Sequence, residues 1–123
     1  MAFKKALVQA GRGGWGSPLT IAPTDNQKIV CITGGSISPV AEKLGEITGA
    51  PVVDGFHHPV SDADTACAVV DCGGVSRAGV LSRKGILTVN INGGSPAGPM
   101  ARFMKEGIYI TGVTPENITV VEE

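Results

Sequence analysis

The apolar positions of this chain fall into short runs parted by glycine-rich breaks, and the runs alternate between two periods. Residues 3–8, "FKKALV", read as a strand. "GRGGWGSPL" follows as a loop, and "LTIAPTD" reads as a short strand and a turn. Residues 28–33, "KIVCIT", carry consecutive apolar side chains, the pattern of a buried strand. After "GGS" the period changes. In "ISPVAEKLGEITG", Val40, Leu44 and Ile47 recur at helical spacing, Ser38 can cap the helix, Pro39 fits its first position, and Gly49 suits its end. "PVVDGF" then reads as a strand and a turn.

The same order returns later. "LTVNIN" (87–92) is strand-like and "GGS" follows at 93–95. Pro99 opens "PMARFMKEG", with Met100, Phe103 and Met104 on one helical face, and "IYITGV" is the next strand. Two strand–GGS–helix–strand units result, and right-handed crossovers make the strands of each parallel. Between them lie "TACAVVD" (65–71), a further buried strand, and "VSRAGVLSRKG", a short loop or helical turn; "ENITVVEE" adds an edge strand. The expectation is a small α/β fold with a mainly parallel sheet and flanking helices, residues 1–123 forming a single domain. Ligands of such sheets sit beyond the carboxyl ends of the strands. Glycine-rich loops at 34–36, 72–74 and 93–95 each follow a strand, and they share one edge if those strands run the same way.

Composition narrows the partners. The 42% hydrophobic and 17% charged residues of this 123-residue chain suit a packed core rather than disorder. Lys+Arg 10 against Asp+Glu 11 leaves no basic field, and one Trp, one Tyr and three Phe offer little base stacking, so nucleic acid is not an expected partner. Three cysteines without a CxxC pair suggest neither a disulfide framework nor a structural zinc site, and fit a reducing compartment. No ligand cluster calls for a metal, and no cofactor is expected. The N-terminus lacks the apolar stretch of a signal peptide, and no run approaches the ~20 apolar residues that span a bilayer. Gly11, Gly13 and Gly16 match GxGxxG, but Pro18 and a strand follow where a dinucleotide fold needs a helix, so that reading is set aside.

The chemistry concentrates in "AVVDCGGVSRAG" (68–79), where an apolar strand ends in Asp71 and Cys72 follows at the turn. A thiolate is the reactive form of cysteine and needs stabilisation at neutral pH. Gly73 and Gly74 let the backbone curl so that successive amides, through Val75 and Ser76, face inward as an anion-binding nest. Arg77 adds a permanent charge and a planar fork suited to phosphate. An inward Asp71 carboxylate would raise the thiol pKa, so it is expected to point away. The Cys72–Arg77 spacing is one residue shorter than the phosphate loop of cysteine phosphatases. By pattern alone, a phosphoryl-binding cysteine and a structural turn cysteine stand side by side. Cys31 and Cys67 lie inside apolar strand patterns and read as core. His57 and His58 read as a solvated loop, with a phosphoryl-carrying histidine as a second candidate.

At these residues the chain resembles the enzyme IIB component of the glucitol/sorbitol-specific phosphotransferase system. The resemblance rests on "GRGGWGSPL", "KIVCITGG", "VVDGF", "VVDCGGVSRAG", "TVNI", "GPMA", "IYITGV" and "ENITVV", in family order across nearly the whole chain. It implies a phosphotransferase role in sugar transport. Phosphorylated enzyme IIA would pass its group from a histidine to Cys72, and IIB would pass it to sorbitol as the membrane IIC component carries the sugar. It also implies a cytoplasmic position at the inner face of the membrane, through IIC. Some members carry a second cysteine where this chain has Ala78, which concentrates the assignment on Cys72. The membrane portion that usually follows in the family is not in this sequence. In this reading Gly73, Gly74, Val75, Ser76 and Arg77 bind the phosphoryl oxygens. The rivals are a cysteine-dependent phosphatase, with Asp54 as its candidate general acid, and a non-catalytic α/β binding module. Trp15 reads either as part of a docking surface or as core.

Overall fold

A computed structural model of the chain describes residues 4–24, 27–32, 37–55, 60–71, 85–91, 93, 105 and 107–121. In chain order the regular elements are β1 (Lys5–Val8), β2 (Leu19–Ile21), β3 (Lys28–Ile32), α1 (Pro39–Thr48), β4 (Val52–Asp54), β5 (Thr65–Val70), β6 (Thr88–Asn90), β7 (Tyr109–Ile110) and β8 (Ile118–Val121). Short 3-10 turns precede β5 at Asp62–Asp64 and β8 at Pro115–Asn117.

Five strands form one sheet in the order β4-β3-β5-β6-β7, and every neighbouring pair in it is parallel. This is the small, mainly parallel α/β architecture that the sequence predicts. The first two strands and the last stand apart from it, in a three-stranded sheet of order β2-β1-β8 whose pairs are antiparallel. "ENITVV" is therefore an edge strand, as expected, but of the second sheet.

Burial explains the division. β1 and β2 alternate, with Ala6, Val8, Leu19 and Ile21 buried and Lys5 and Thr20 exposed, as suits a sheet with one wet face. β3 and β5 do not alternate. Ile29, Val30 and Cys31 are buried in succession, as are Cys67, Ala68, Val69 and Val70, so both faces of the central strands are covered.

α1 packs between the two sheets, against β3 and β4 on one side and β1 and β8 on the other. Its start is set by Ser38, whose Oγ accepts from the Ala41 amide at 3.2 Å, with Pro39 at the first helical position. Its end is set by Gly49 in the left-handed region (φ 84), whose amide donates to the Gly45 carbonyl at 2.8 Å. Val40, Ala41 and Leu44 are buried, and they join Val8 and Ile21 to Ile29, Cys31 and Val69 in one core. Burial of each large aliphatic side chain contributes roughly 1.5–3 kcal/mol. Of the second strand–helix–strand unit, β6 and β7 are present and parallel; the helix expected over 99–107 lies largely outside the described residues.

Candidate functional site

The parallel sheet brings three strand ends to one level. Ile32 is registered with Val70, and Val70 with Asn90, so β3, β5 and β6 all finish on the same edge. The chain leaves the sheet there towards all three glycine-rich loops, which resolves the question of strand direction that the sequence leaves open. The strand order also reverses at this edge. From β3 the chain passes to β4 on one side and then to β5 on the other. In open parallel sheets the crevice at such a reversal is where ligands bind. Asp71, exposed, continues from β5 into this edge. Cys72, Gly73, Gly74, Val75, Ser76 and Arg77 lie outside the described residues, as do His57 and His58.

The other two cysteines are core residues, as expected. Cys31 and Cys67 are fully buried on adjacent strands. The Cys31 Sγ accepts from the Ser38 amide at 3.4 Å, directly before α1. Burial pushes the Cys67 thiol up to about 12, and the nearby Cys31 pushes in the same direction. At neutral pH Cys67 is therefore a small protonated hydrophobe and not a nucleophile.

The glycine-rich segment at 11–16 has a packing role that its sequence does not announce. It runs antiparallel along the carboxyl end of β7, the outer strand of the parallel sheet. The Gly11 amide donates to the Gly112 carbonyl (3.1 Å), and Thr111 donates its amide to the Trp15 carbonyl (2.9 Å). The Thr111 hydroxyl accepts from the Trp15 amide at 2.7 Å. A Cβ at Gly14 would overlap the Thr111 carbonyl, and one at Gly16 would stand 2.7 Å from the Tyr109 carbonyl. These glycines thus permit close backbone approach, and the segment covers an edge that would otherwise present unpaired strand groups.

Trp15, half-buried, stands against Tyr109 with ring centroids 6.2 Å apart and planes tilted by 41°. That is within the range of favourable aromatic pairs. Tyr109 in turn accepts a hydrogen bond on its hydroxyl from Asn90 Nδ2 at 2.8 Å. Trp15 is thus partly a core residue, and its ring closes the end of the sheet. The sequence reading missed Asn90, Tyr109 and Thr111. The signal available was a polar residue at an inward position in each of "TVNI" and "IYIT".

Two other features carry less chemistry. Asp54 ends β4, registered with Cys31 on β3, and is separated from β5 by that strand, about 10 Å across the sheet. An open cleft of about 500 Å³ lies at the opposite, amino-terminal edge, where Thr20, Gln27, Thr65, Ile86 and Leu87 contribute to its walls. Among the described residues its lining has no ionisable side chain, and Gln27 and Thr65 donate to the backbone carbonyls of Ala63 and Ser61.

A family model described as the sorbitol phosphotransferase enzyme II N-terminus matches residues 5–123. The chain belongs to this family. A curated relative from Clostridium beijerinckii, described as a PTS system glucitol/sorbitol-specific EIIB component, is 35% identical over 122 residues. That alignment takes in 98% of this chain and 36% of the relative, so the chain spans about a third of the relative's length. No solved structure matches. The family match agrees with the resemblance drawn from "GRGGWGSPL" to "ENITVV", and it takes in both sheets of the sorbitol phosphotransferase enzyme II N-terminal fold. Among the described residues no helix is long and apolar enough to cross a membrane.

Proposed function

We propose that this chain, as a single IIB domain, relays a phosphoryl group in a glucitol/sorbitol phosphotransferase system, with Cys72 as the carrier. The observation that supports this most is positional. Cys72 is bonded directly to Asp71, and Asp71 leaves β5 beside the reversal of strand order, in a chain whose family match spans residues 5–123.

The Cys72 thiolate attacks the phosphorus of the phosphohistidine on enzyme IIA. An S–P bond forms, the P–N bond breaks, and the imidazole nitrogen keeps the electron pair. The amides of Gly73, Gly74, Val75 and Ser76 hold the phosphoryl oxygens and Arg77 spreads their charge, so the nest that stabilises the thiolate also receives the phosphoryl group. In the second transfer a sugar hydroxyl attacks phosphorus, the S–P bond breaks, and the hydroxyl proton passes to a base on the sugar-carrying side. The loop must release the group as well as bind it, so excess stabilisation of the phosphocysteine slows the relay. IIA and the membrane IIC component are the partners in this reading, which sets the domain at the cytoplasmic face of the membrane.

The test is intact-mass analysis after incubation with phosphoenolpyruvate, enzyme I, the histidine phosphocarrier protein and IIA. One phosphoryl group is expected. It disappears in Cys72→Ser and persists in Cys31→Ser and Cys67→Ser. Label that survives Cys72→Ser and is lost with His57 or His58 overturns the assignment. Arg77→Ala is expected to slow the transfer in folded protein, and an unchanged rate removes Arg77 from the site.

A further inference from the structure

β6 and β7 carry a buried polar stripe on one face of the parallel sheet: Thr88 and Asn90 on β6, with Tyr109 registered beside Thr88. The equivalent positions across β5 and β3 are aliphatic: Ala68 beside Thr88, Val70 beside Asn90, and Val30 beside Ala68. Thr88 meets a local need, since its hydroxyl donates to the Ile86 carbonyl at 2.9 Å. Asn90 does not. It is 3% exposed, and its amide donates across to the next strand, to the Tyr109 hydroxyl. A buried amide is costly unless its hydrogen bonds are made, so an aliphatic residue is the easier occupant of a position chosen only for packing.

Its position gives the amide a use. Asn90 is the last residue of β6 and is registered with Val70, two residues before Cys72. The adjoining backbone is tied on both sides. The Ile91 amide donates to the Val70 carbonyl at 2.9 Å, and the Asn90 carbonyl accepts from the Val113 amide at 3.3 Å. Behind Tyr109 stands Trp15, whose amide and carbonyl clasp Thr111. An unbroken line of contacts thus runs from the glycine-rich segment, through Tyr109 and Asn90, to the end of β5.

We infer that Asn90 is a positioning residue for the Cys72 loop, held by Tyr109 and, behind it, by the Trp15 segment. The inference rests on the relay reading. Phosphoryl transfer demands an in-line approach of sulfur to phosphorus, and a displacement of about 1 Å can cost about 100-fold in rate. A tie that fixes β6 at the level where β5 ends limits that displacement from one side. A hydrogen bond does this with more directional constraint than aliphatic packing.

Tyr109→Phe tests it, because the ring against Trp15 stays and the acceptor for Asn90 goes. The expected result is about a tenfold slower phosphorylation of Cys72. The pH profile of Cys72 alkylation by iodoacetamide, located by peptide mapping, is expected to shift. The melting temperature should stay within a few degrees of wild type, with Trp15 fluorescence little changed. Trp15→Leu, which removes the ring behind Tyr109, should slow transfer in the same direction and by less, and it decides the matter if Tyr109→Phe does not fold. Folded variants with wild-type transfer rates and wild-type alkylation profiles overturn the inference, since a merely structural tie moves neither. If wild-type protein takes no phosphoryl group on Cys72, the relay reading fails by itself. The alkylation profile then still decides whether Asn90 positions the Cys72 loop.

Discussion

β3 and β5 on one side of the parallel sheet, and β6 and β7 on the other, are buried alike but built from different chemistry. Ile29, Cys31, Cys67 and Val69 join the core around Leu44, and Val30, Ala68 and Val70, on the opposite face of the same strands, are aliphatic and buried too. Thr88, Asn90 and Tyr109 are just as enclosed, yet each has a polar group that must find a partner. Non-directional packing tolerates small displacements, whereas a buried hydrogen bond does not. The difference suggests a division of labour. The aliphatic half supplies the free energy that keeps the domain folded, and the polar half supplies geometry at the edge where the chain runs on to Cys72.

The strongest way to break this comparison is to damage the aliphatic half and look for a functional effect. Ile29 is fully buried on β3. Ile29→Ala should destabilise by about 3 kcal/mol, read from urea unfolding. Transfer measured well below the melting temperature should keep its wild-type rate. A matching loss of rate in folded protein would show that both halves serve the site.

Next in size is Gly14→Ala. The added methyl would meet the Thr111 carbonyl, which is backbone and has little room to give. A loss of about 2 kcal/mol is expected as the segment lifts from β7. The fluorescence of Trp15, the chain's one tryptophan, should move to longer wavelength as the ring parts from Tyr109. An unchanged spectrum and stability would mean that the glycine is a turn residue and nothing more.

Much of this architecture can be read from local pattern. Ser38, Pro39 and Gly49 bracket α1 because capping is decided within a few residues. "KIVCI" and "TACAVV" announce buried parallel strands because both faces are apolar. What local pattern does not carry is partnership across the chain. β1 pairs with β8 from the other end of the sequence, and alternation in "KALV" tells only that one face is wet. The glycines of "GRGGWG" are explained by Thr111, Gly112 and Tyr109, with the Trp15–Thr111 bond linking positions 96 residues apart. At the candidate site, "VVDCGG" marks a cysteine beyond a strand end. That this strand borders the reversal of strand order follows only from the sheet's pairing.

A gentler probe of the polar half is the stability of Tyr109→Phe. Loss of one buried hydrogen bond, with the ring retained, should cost about 1 kcal/mol in urea unfolding. Because the expected effect on transfer is much larger than that loss implies, the two measurements made on one variant separate folding from positioning. If stability falls by as much as in Ile29→Ala while transfer is untouched, the polar half is ordinary core and the comparison collapses.

At neutral pH the smallest effect belongs to the aliphatic half, and it grows only as the pH rises. Burial raises the Cys67 thiol from 9.0 to about 12, whereas in the unfolded chain the same thiol titrates near its ordinary value. The folded state therefore holds the proton over a window in which the unfolded state releases it. Below pH 9.0 both states are protonated and the thiol adds no pH dependence. Between 9.0 and about 12 the unfolded state binds fewer protons, so stability falls as pH rises. Urea unfolding across that range should show a decline that is shallower in Cys67→Ala, whatever the variant's stability at neutral pH. Equal slopes in the two proteins would mean that Cys67 reaches water in the folded state, and the aliphatic half would then be less closed than its burial indicates.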